Sequence, residues 1–233
     1  MSKPFQFKQF QVVHEKSAMK VGTDGVLLGA WAFHGLNPSS ILDVGTGTGL
    51  IALMMAQRFE TAQIQTVEMD PQASEEASSN FNQSIFASRL QVVQVNFLEW
   101  HSDQRFDAIV CNPPVYQDAL ESPNEQRNWA RQEKFLPPEQ FLEKCRSLLS
   151  NEGRLAVVIP VERIHFWKAE AERLQFTLVR SCAIRGHEEA AITRYLLEWG
   201  FHSGSCEESE LVLEQSRGVR TEACNDWFRY FYL

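Results

Sequence analysis

Positive charge is in deficit in this chain. Its 22 Lys and Arg face 30 Asp and Glu, for a formal net charge of −8. A protein of this sign has no general attraction for nucleic-acid phosphates, so any such binding must come from a local patch. Cysteine is sparse and unpatterned. Cys111, Cys145, Cys182, Cys206 and Cys224 are odd in number, scattered, and free of any Cys-x-x-Cys pair. This argues against a disulfide framework or a structural zinc and points to a reducing cytoplasm. No apolar run approaches the roughly 20 residues a membrane helix requires. The stretch Met1-Ser2-Lys3-Pro4-Phe5 has no apolar signal region. His14, His165 and His187 have no partners at metal-ligand spacing, so no metal is expected. Internal repeats and low-complexity segments are also lacking.

What is present fits one α/β domain. The chain has 233 residues, 44% of them hydrophobic, enough for a full core. Residues 5–13 read as a strand or hairpin. Gly22 marks a turn, Thr23 is a candidate N-cap, and Leu27, Ala30 and Trp31 give the following helix a buried stripe. Residues 41–45 (ILDVG) form a short apolar strand that runs through Thr46-Gly47-Thr48-Gly49 into a helix carrying Leu50, Leu53, Met54 and Ala56. A second strand, 64–68, ends on Glu68 and Met69. Asp70-Pro71 opens a helix with Ala73, Ala77 and Phe81 on one face. A third strand, 90–95, closes at Asn96-Phe97, and a fourth, 106–111, stops at Asn112-Pro113-Pro114. Residues 117–137 are polar, broken by prolines, and read as a long loop over the strand ends. A helix over 139–149, a fifth strand over 154–159 and a helix over 161–174 follow. The strands 176–184 and 192–199 are joined too tightly for a crossover helix, so they should pair antiparallel. The tail holds one β-like segment, 211–213, and the aromatics Trp227, Phe228, Tyr230, Phe231 and Tyr232. The expected architecture is a doubly wound, seven-stranded mixed sheet with the last strand antiparallel. It divides into an N-terminal extension (1–37), a Rossmann-like core (38–200) and a β/aromatic tail (201–233).

Chemistry concentrates at two strand ends. Glycines at 45, 47 and 49 let the backbone turn and approach a ligand without a Cβ in the way. The G-x-G-x-G spacing is one residue shorter than the dinucleotide fingerprint, with Asp43 just before it. Glu68 lies 19 residues beyond Gly49, where an acid can accept both ribose hydroxyls of a bound nucleoside. No Lys-Ser/Thr pair follows the loop, which disfavours a triphosphate. Asn96 and Phe97 would lie beside an adenine. An adenosine ligand without a pyrophosphate is favoured, and S-adenosylmethionine fits.

The second site is the proline-terminated strand. In open α/β sheets ligands bind at the carboxyl ends of the strands. There the Asn112 side-chain carbonyl and the Pro113 backbone carbonyl can each accept one N–H from a planar amine. That would localise the amine lone pair and aim it at a methyl group, so orientation rather than a strong base supplies the catalysis. An aromatic after the prolines would stack on a flipped base.

Asp43-Val44-Gly45-Thr46-Gly47-Thr48-Gly49, Glu68 and Asn112-Pro113-Pro114 resemble class I methyltransferases that modify amino nitrogens. The block Phe7-Lys8-Gln9-Phe10 with His14 to Trp31, the lid motif Gln126-Arg127…Ala130-Arg131 and the aromatic C-terminus look like one family among them. This family comprises the bacterial tRNA(Val) adenine-6-amino methyltransferases. The resemblance runs nearly end to end. It implies methyl transfer from S-adenosylmethionine to adenosine 37 in the anticodon loop. It also implies that the segment Lys20, Gly22, Thr23, Asp24 covers the methionine end of the cofactor. The family has Tyr or Phe after the second proline; here Val115 stands there and Tyr116 follows. Lys8, Lys16, Arg127, Arg131 and Arg220 are candidate RNA contacts, with Lys3 and Lys20 on the same expected basic face. A monomer is expected. Because Asn-Pro-Pro serves any planar NH₂, a ribosomal guanine or a protein glutamine remains an alternative acceptor, and a non-catalytic cofactor-binding module a further reading.

Overall fold

The computed structural model of the protein describes residues 3–17, 20–113, 136–202 and 204–232. Its centre is an eight-stranded sheet. In chain order the strands are β3 (Ser40–Val44), β4 (Gln63–Glu68), β5 (Leu90–Gln94), β6 (Phe106–Cys111), β7 (Leu149–Pro160), β8 (Thr177–Arg185), β9 (Ile192–Gly200) and β10 (Glu207–Val212). Their spatial order is β10-β8-β9-β7-β6-β3-β4-β5. Every neighbouring pair is parallel except the two that involve β9, which lies antiparallel between β7 and β8.

Alternation along the strands explains the two layers. Ala108 and Val110 of β6 face one core, and Ile109 and Cys111 face the other; all four are essentially inaccessible. The first core is closed by α1 (Thr23–Trp31), α2 (Leu50–Arg58) and α3 (Pro71–Asn82). The second is closed by α4 (Pro138–Leu148) and α5 (Ile164–Arg173). Glycine lets α1 approach α2: a Cβ on Gly29 would sit 2.5 Å from Met54 Sδ. The bend after α1 is fixed from the sheet. Phe33 has φ +61° and donates its N–H to Glu198 Oε2 at 2.8 Å. Glu198 is wholly buried and also takes Arg154 at 2.8 Å and Arg180 at 3.3 Å.

The sheet differs from expectation by one strand. The tail forms β10, which pairs parallel with β8 over six residues, Glu207↔Arg180 to Val212↔Arg185. The β-like segment expected at 211–213 is the end of this strand, and the Glu207-Glu208-Ser209-Glu210 run before it is polar and exposed, so no strand pattern marks its start. An edge strand needs only backbone pairing, and charge there discourages further strands from adding. Ion pairs Arg180–Glu207 (3.5 Å) and Arg185–Glu210 (2.7 Å) bind it sideways.

Outside the sheet, β1 (Phe5–Gln6) and β2 (Gln11–Val12) form the expected hairpin. Beyond β10, β11 (Glu214–Ser216) and β12 (Val219–Arg220) pair with each other and lead into α6 (Glu222–Phe228). Phe7 stacks on Tyr232 at 5.6 Å between centroids, and the Lys8 N–H donates to Phe231 O at 2.8 Å. Phe228 and Phe231 are buried, whereas Tyr230 is largely exposed. Among the described residues no helix is long and apolar enough to cross a membrane.

Candidate active site

The carboxyl ends of β3, β4, β5 and β6 lie side by side. In the β3–β6 register Val44 is paired with Cys111, so the next residues, Gly45 and Asn112, leave the sheet alongside one another. The two motifs are thus brought together by one parallel pairing. Pro113 is buried; Asn112 is half-buried and its amide makes no hydrogen bond among the described residues. Pro114, Val115, Tyr116, Arg127 and Arg131 lie outside the described residues.

The glycine loop is bolted to β4. Gly45 N and Thr46 N both donate to Val67 O, at 2.9 and 3.3 Å. Gly47 N donates to Glu68 Oε2 at 2.9 Å, and Asp70 N to Glu68 Oε1 at 2.9 Å. Each carboxylate oxygen of Glu68 keeps acceptor capacity for a ligand hydroxyl. Gly45, Gly47 and Gly49 all have left-handed φ, +69°, +56° and +82°. Their surroundings differ. A Cβ on Gly45 would meet nothing within 4 Å, whereas one on Gly49 would lie 2.4 Å from the Phe81 ring. Gly45 therefore leaves space for a ligand, and Gly49 allows α3 to pack. A free cradle beside a two-oxygen acceptor fits an adenosine cofactor whose ribose binds Glu68.

Asp43 sits beneath this loop, 1% exposed. Burial raises its carboxyl from 3.8 to about 7, against the opposing hydrogen bond from Thr46 Oγ1 to Oδ2 at 2.6 Å. The nearby Glu68 charge adds to the rise. Met69, beyond Glu68, is 47% exposed, so an apolar side chain faces solvent at the mouth of the site. Asn96 caps its own turn, accepting from Leu98 N at 3.0 Å. The Phe97 ring turns inward instead, 5.7 Å from Phe141 and with Lys144 Nζ 5.5 Å above it. Its backbone, rather than its ring, is what it can offer a base.

In the N-terminal block the start of α1 departs from expectation. Gly22 is the N-cap, and Thr23 is the first helical residue and caps nothing with its side chain. Lys20, Gly22 and Thr23 are exposed. Asp24 is ion-paired with Arg194. Because Arg194 pairs with Pro160 at the end of β7, this bond ties the start of α1 to the carboxyl edge of the sheet. Arg194 carries no motif, and the sequence did not single it out.

Two further residues escaped the sequence reading. Glu76 and Asn80 of α3 are 4% and 1% exposed and grip the segment that follows the hairpin. They lie between Ala73, Ala77 and Phe81 at helical spacing, a position that signals an inward face whatever the residue type.

Of the candidate RNA contacts among the described residues, Lys8 and Arg220 lie away from this edge. Lys16 is paired with Glu75 at 2.7 Å, with both side chains exposed. Lys8 Nζ donates to Arg229 O, and the Arg220 guanidinium covers Phe228 and Tyr232 at 5.2 and 4.6 Å. Gln57 at the end of α2 donates to Tyr230 O, so this aromatic cluster lies at the C-terminal end of α2. The glycine loop lies at the opposite, N-terminal end of the same helix. A single basic face joining Lys8 and Arg220 to the strand ends is not what the fold builds.

The Methyltransferase small domain family model matches residues 26–165. Over 231 residues the chain is 40% identical to the tRNA1(Val) (adenine(37)-N6)-methyltransferase of Flavobacterium psychrophilum, covering 98% of this chain and 99% of that one. It is likewise 40% identical to the protein of the same name from Bacteroides thetaiotaomicron, with 100% and 99% covered. The chain belongs to this family. The tRNA1(Val) (adenine(37)-N6)-methyltransferase family thus accounts for both the loop and the Asn-Pro-Pro end, since one match spans them. Among solved structures, a predicted O-methyltransferase from Agrobacterium tumefaciens superposes with a TM-score of 0.70 at 16% identity, covering 89% of this chain and 96% of that one. That likeness concerns the fold, a class I methyltransferase sheet.

Proposed function

We propose that this methyltransferase acts on adenosine 37 of tRNA(Val), moving a methyl group from S-adenosylmethionine to the 6-amino nitrogen. The observation that supports the reading is the Val44↔Cys111 register, from which Gly45 and Asn112 follow on neighbouring strands, together with the open space at Gly45. Full-length relatedness to proteins named for this reaction supports the acceptor.

The cofactor supplies a methyl group on a positively charged sulfur, already activated for transfer. Glu68 binds ribose hydroxyls while holding the loop through Gly47. Gly45 leaves room for the ligand, and Met69 and the Asn96 turn border the base. Asn112 Oδ1 and Pro113 O accept the two amine hydrogens. This turns the nitrogen lone pair out of the ring's conjugation and toward the donor. Transfer would form the C–N bond as the C–S bond of the donor breaks, and the amine held by Asn112 and Pro113 would release its extra proton to water. The main contribution is a near-attack orientation.

The test uses bulk tRNA from a strain lacking this gene, incubated with the protein and methyl-labelled S-adenosylmethionine, then digested to nucleosides. Labelled 6-methyladenosine is expected, with loss of product in Asn112→Ala. Label in guanosine or in protein, or no label at all, would sink the assignment.

A further inference from the structure

We propose that Glu76 and Asn80 are positioning residues for the donor pocket, locking residues 13–17 against the glycine loop as its outer wall. Residues 11–17 run along α3 in the reverse direction. Gln11 meets Gln83, Val13 meets Asn80, and residues 15–17 meet Glu76. Strand-to-helix crossovers put the N-terminus of α3 at the carboxyl edge of the sheet. The segment therefore climbs from the hairpin toward the site.

Asn80 is the bridge. Its Oδ1 accepts Val13 N at 2.9 Å, and its Nδ2 donates to Val13 O at 2.9 Å and to Thr48 O at 2.8 Å. One amide thus joins the segment to the loop between Gly47 and Gly49. Glu76 is the clamp. Its Oε1 accepts Glu15 N at 2.6 Å and Lys16 N at 2.8 Å, and its Oε2 accepts Ser17 N at 3.0 Å. A carboxylate in so buried a place is tolerated because three consecutive peptide N–H groups solvate it.

The outcome is a seated Ser17, 5% exposed, whose Oγ lies 3.5 Å from where a Gly47 Cβ would be. The same Gly47 is held from the other side by Glu68. The loop is thus gripped between the ribose-binding acid and the clamped segment. Three residues past Ser17, Lys20 opens the stretch that leads into Asp24 and its bond to Arg194. Val13 and residues 15–17 are held on Asn80 and Glu76 through their backbones, and Lys16 Nζ adds a bond to Glu75, so α3 supplies the partners.

The inference rests on the reading that the glycine loop holds S-adenosylmethionine, and the experiment separates the two. Calorimetric titration of the native protein with S-adenosylmethionine comes first; no binding there would defeat that reading, and this inference with it. If the native protein binds, Glu76→Ala should weaken binding and raise KM for S-adenosylmethionine at least about tenfold while kcat changes less than about threefold. Glu76→Gln, which keeps one acceptor oxygen, should recover part of the loss. Glu75→Gln, one residue away on the exposed pair with Lys16, should leave the dissociation constant unchanged. Should Glu76→Ala fail to fold, Glu76→Gln and amide hydrogen exchange carry the test: residues 15–17 should exchange faster in the variant, and slower in the native protein when S-adenosylmethionine is added. A lower melting temperature with unaltered affinity and KM in both variants would reduce Glu76 to a structural residue and overturn the proposal.

Discussion

Thr46 Oγ1 donates to Asp43 Oδ2 at 2.6 Å in a pocket closed to solvent, so a carboxyl raised to about 7 lies under the glycine loop. The folded state holds this proton more tightly than the unfolded chain does. The group's stabilising effect is therefore complete below its unfolded value of 3.8 and is lost as pH rises to about 7. Across that window Asp43 should lower stability by up to about 1.4 kcal/mol per pH unit. Urea unfolding of the native protein and Asp43→Asn at several pH values between these limits checks it. The difference between the two should shrink or reverse as pH rises, and a constant difference would refute the titration.

Glu68 does two jobs with two oxygens. Glu68→Gln replaces one acceptor by a donor that opposes either Gly47 N–H or Asp70 N–H. Hydrogen bonds to charged groups contribute about 1.5–3 kcal/mol each, so S-adenosylmethionine affinity should fall by about tenfold or more. Calorimetric titration measures it, and an unchanged dissociation constant would exclude a ribose-binding role.

The glycines of the loop should rank by what surrounds them. Gly49→Ala combines a left-handed backbone with a 2.4 Å approach to Phe81 and should cost about 2–4 kcal/mol. Gly45→Ala has open space and should cost only the backbone term, about 1–2 kcal/mol, while obstructing the ligand. Denaturant midpoints give the stability order, and titration gives the binding order, which should be inverted between the two variants.

Far from the site, Glu198→Ala strands Arg154, Arg180 and the Phe33 N–H together. Breaking a buried ion pair from one side costs about 3–5 kcal/mol. Chemical denaturation with an unchanged m-value should report that loss; a change below about 1 kcal/mol would mean that water takes the place of the carboxylate.

Particular residues show where the sequence was readable. The strand from Phe106 to Cys111 carries its own signals: an apolar run, then prolines that end it. The glycine loop and Glu68 were legible because their spacing is set by one β-α-β unit. Glu76 was not, because in Ser74-Glu75-Glu76 the residue type suggests solvent, and burial depends on peptide groups contributed from sixty residues away. Arg194 was hidden for the same reason: its partner, Asp24, is remote in sequence. Only the end of β10 was read, as the β-like segment 211–213, because an edge needs no side-chain alternation over its polar start. Local chemistry was visible, and long-range backbone partnerships were not.

The contact between the β1–β2 hairpin and residues 228–232 sets an order of events. Lys8 and Arg229 are 221 residues apart in the chain. At about 5–20 residues per second of synthesis, Phe7 waits about 10–45 s for Tyr232 to be made. The glycine loop and its sheet neighbours β3, β4 and β6 are complete long before then. A nascent chain thus carries the glycine loop, α3 and the segment that α3 clamps well before residues 228–232 close over the hairpin, so this closure follows the assembly of β3, β4 and β6 rather than accompanying it.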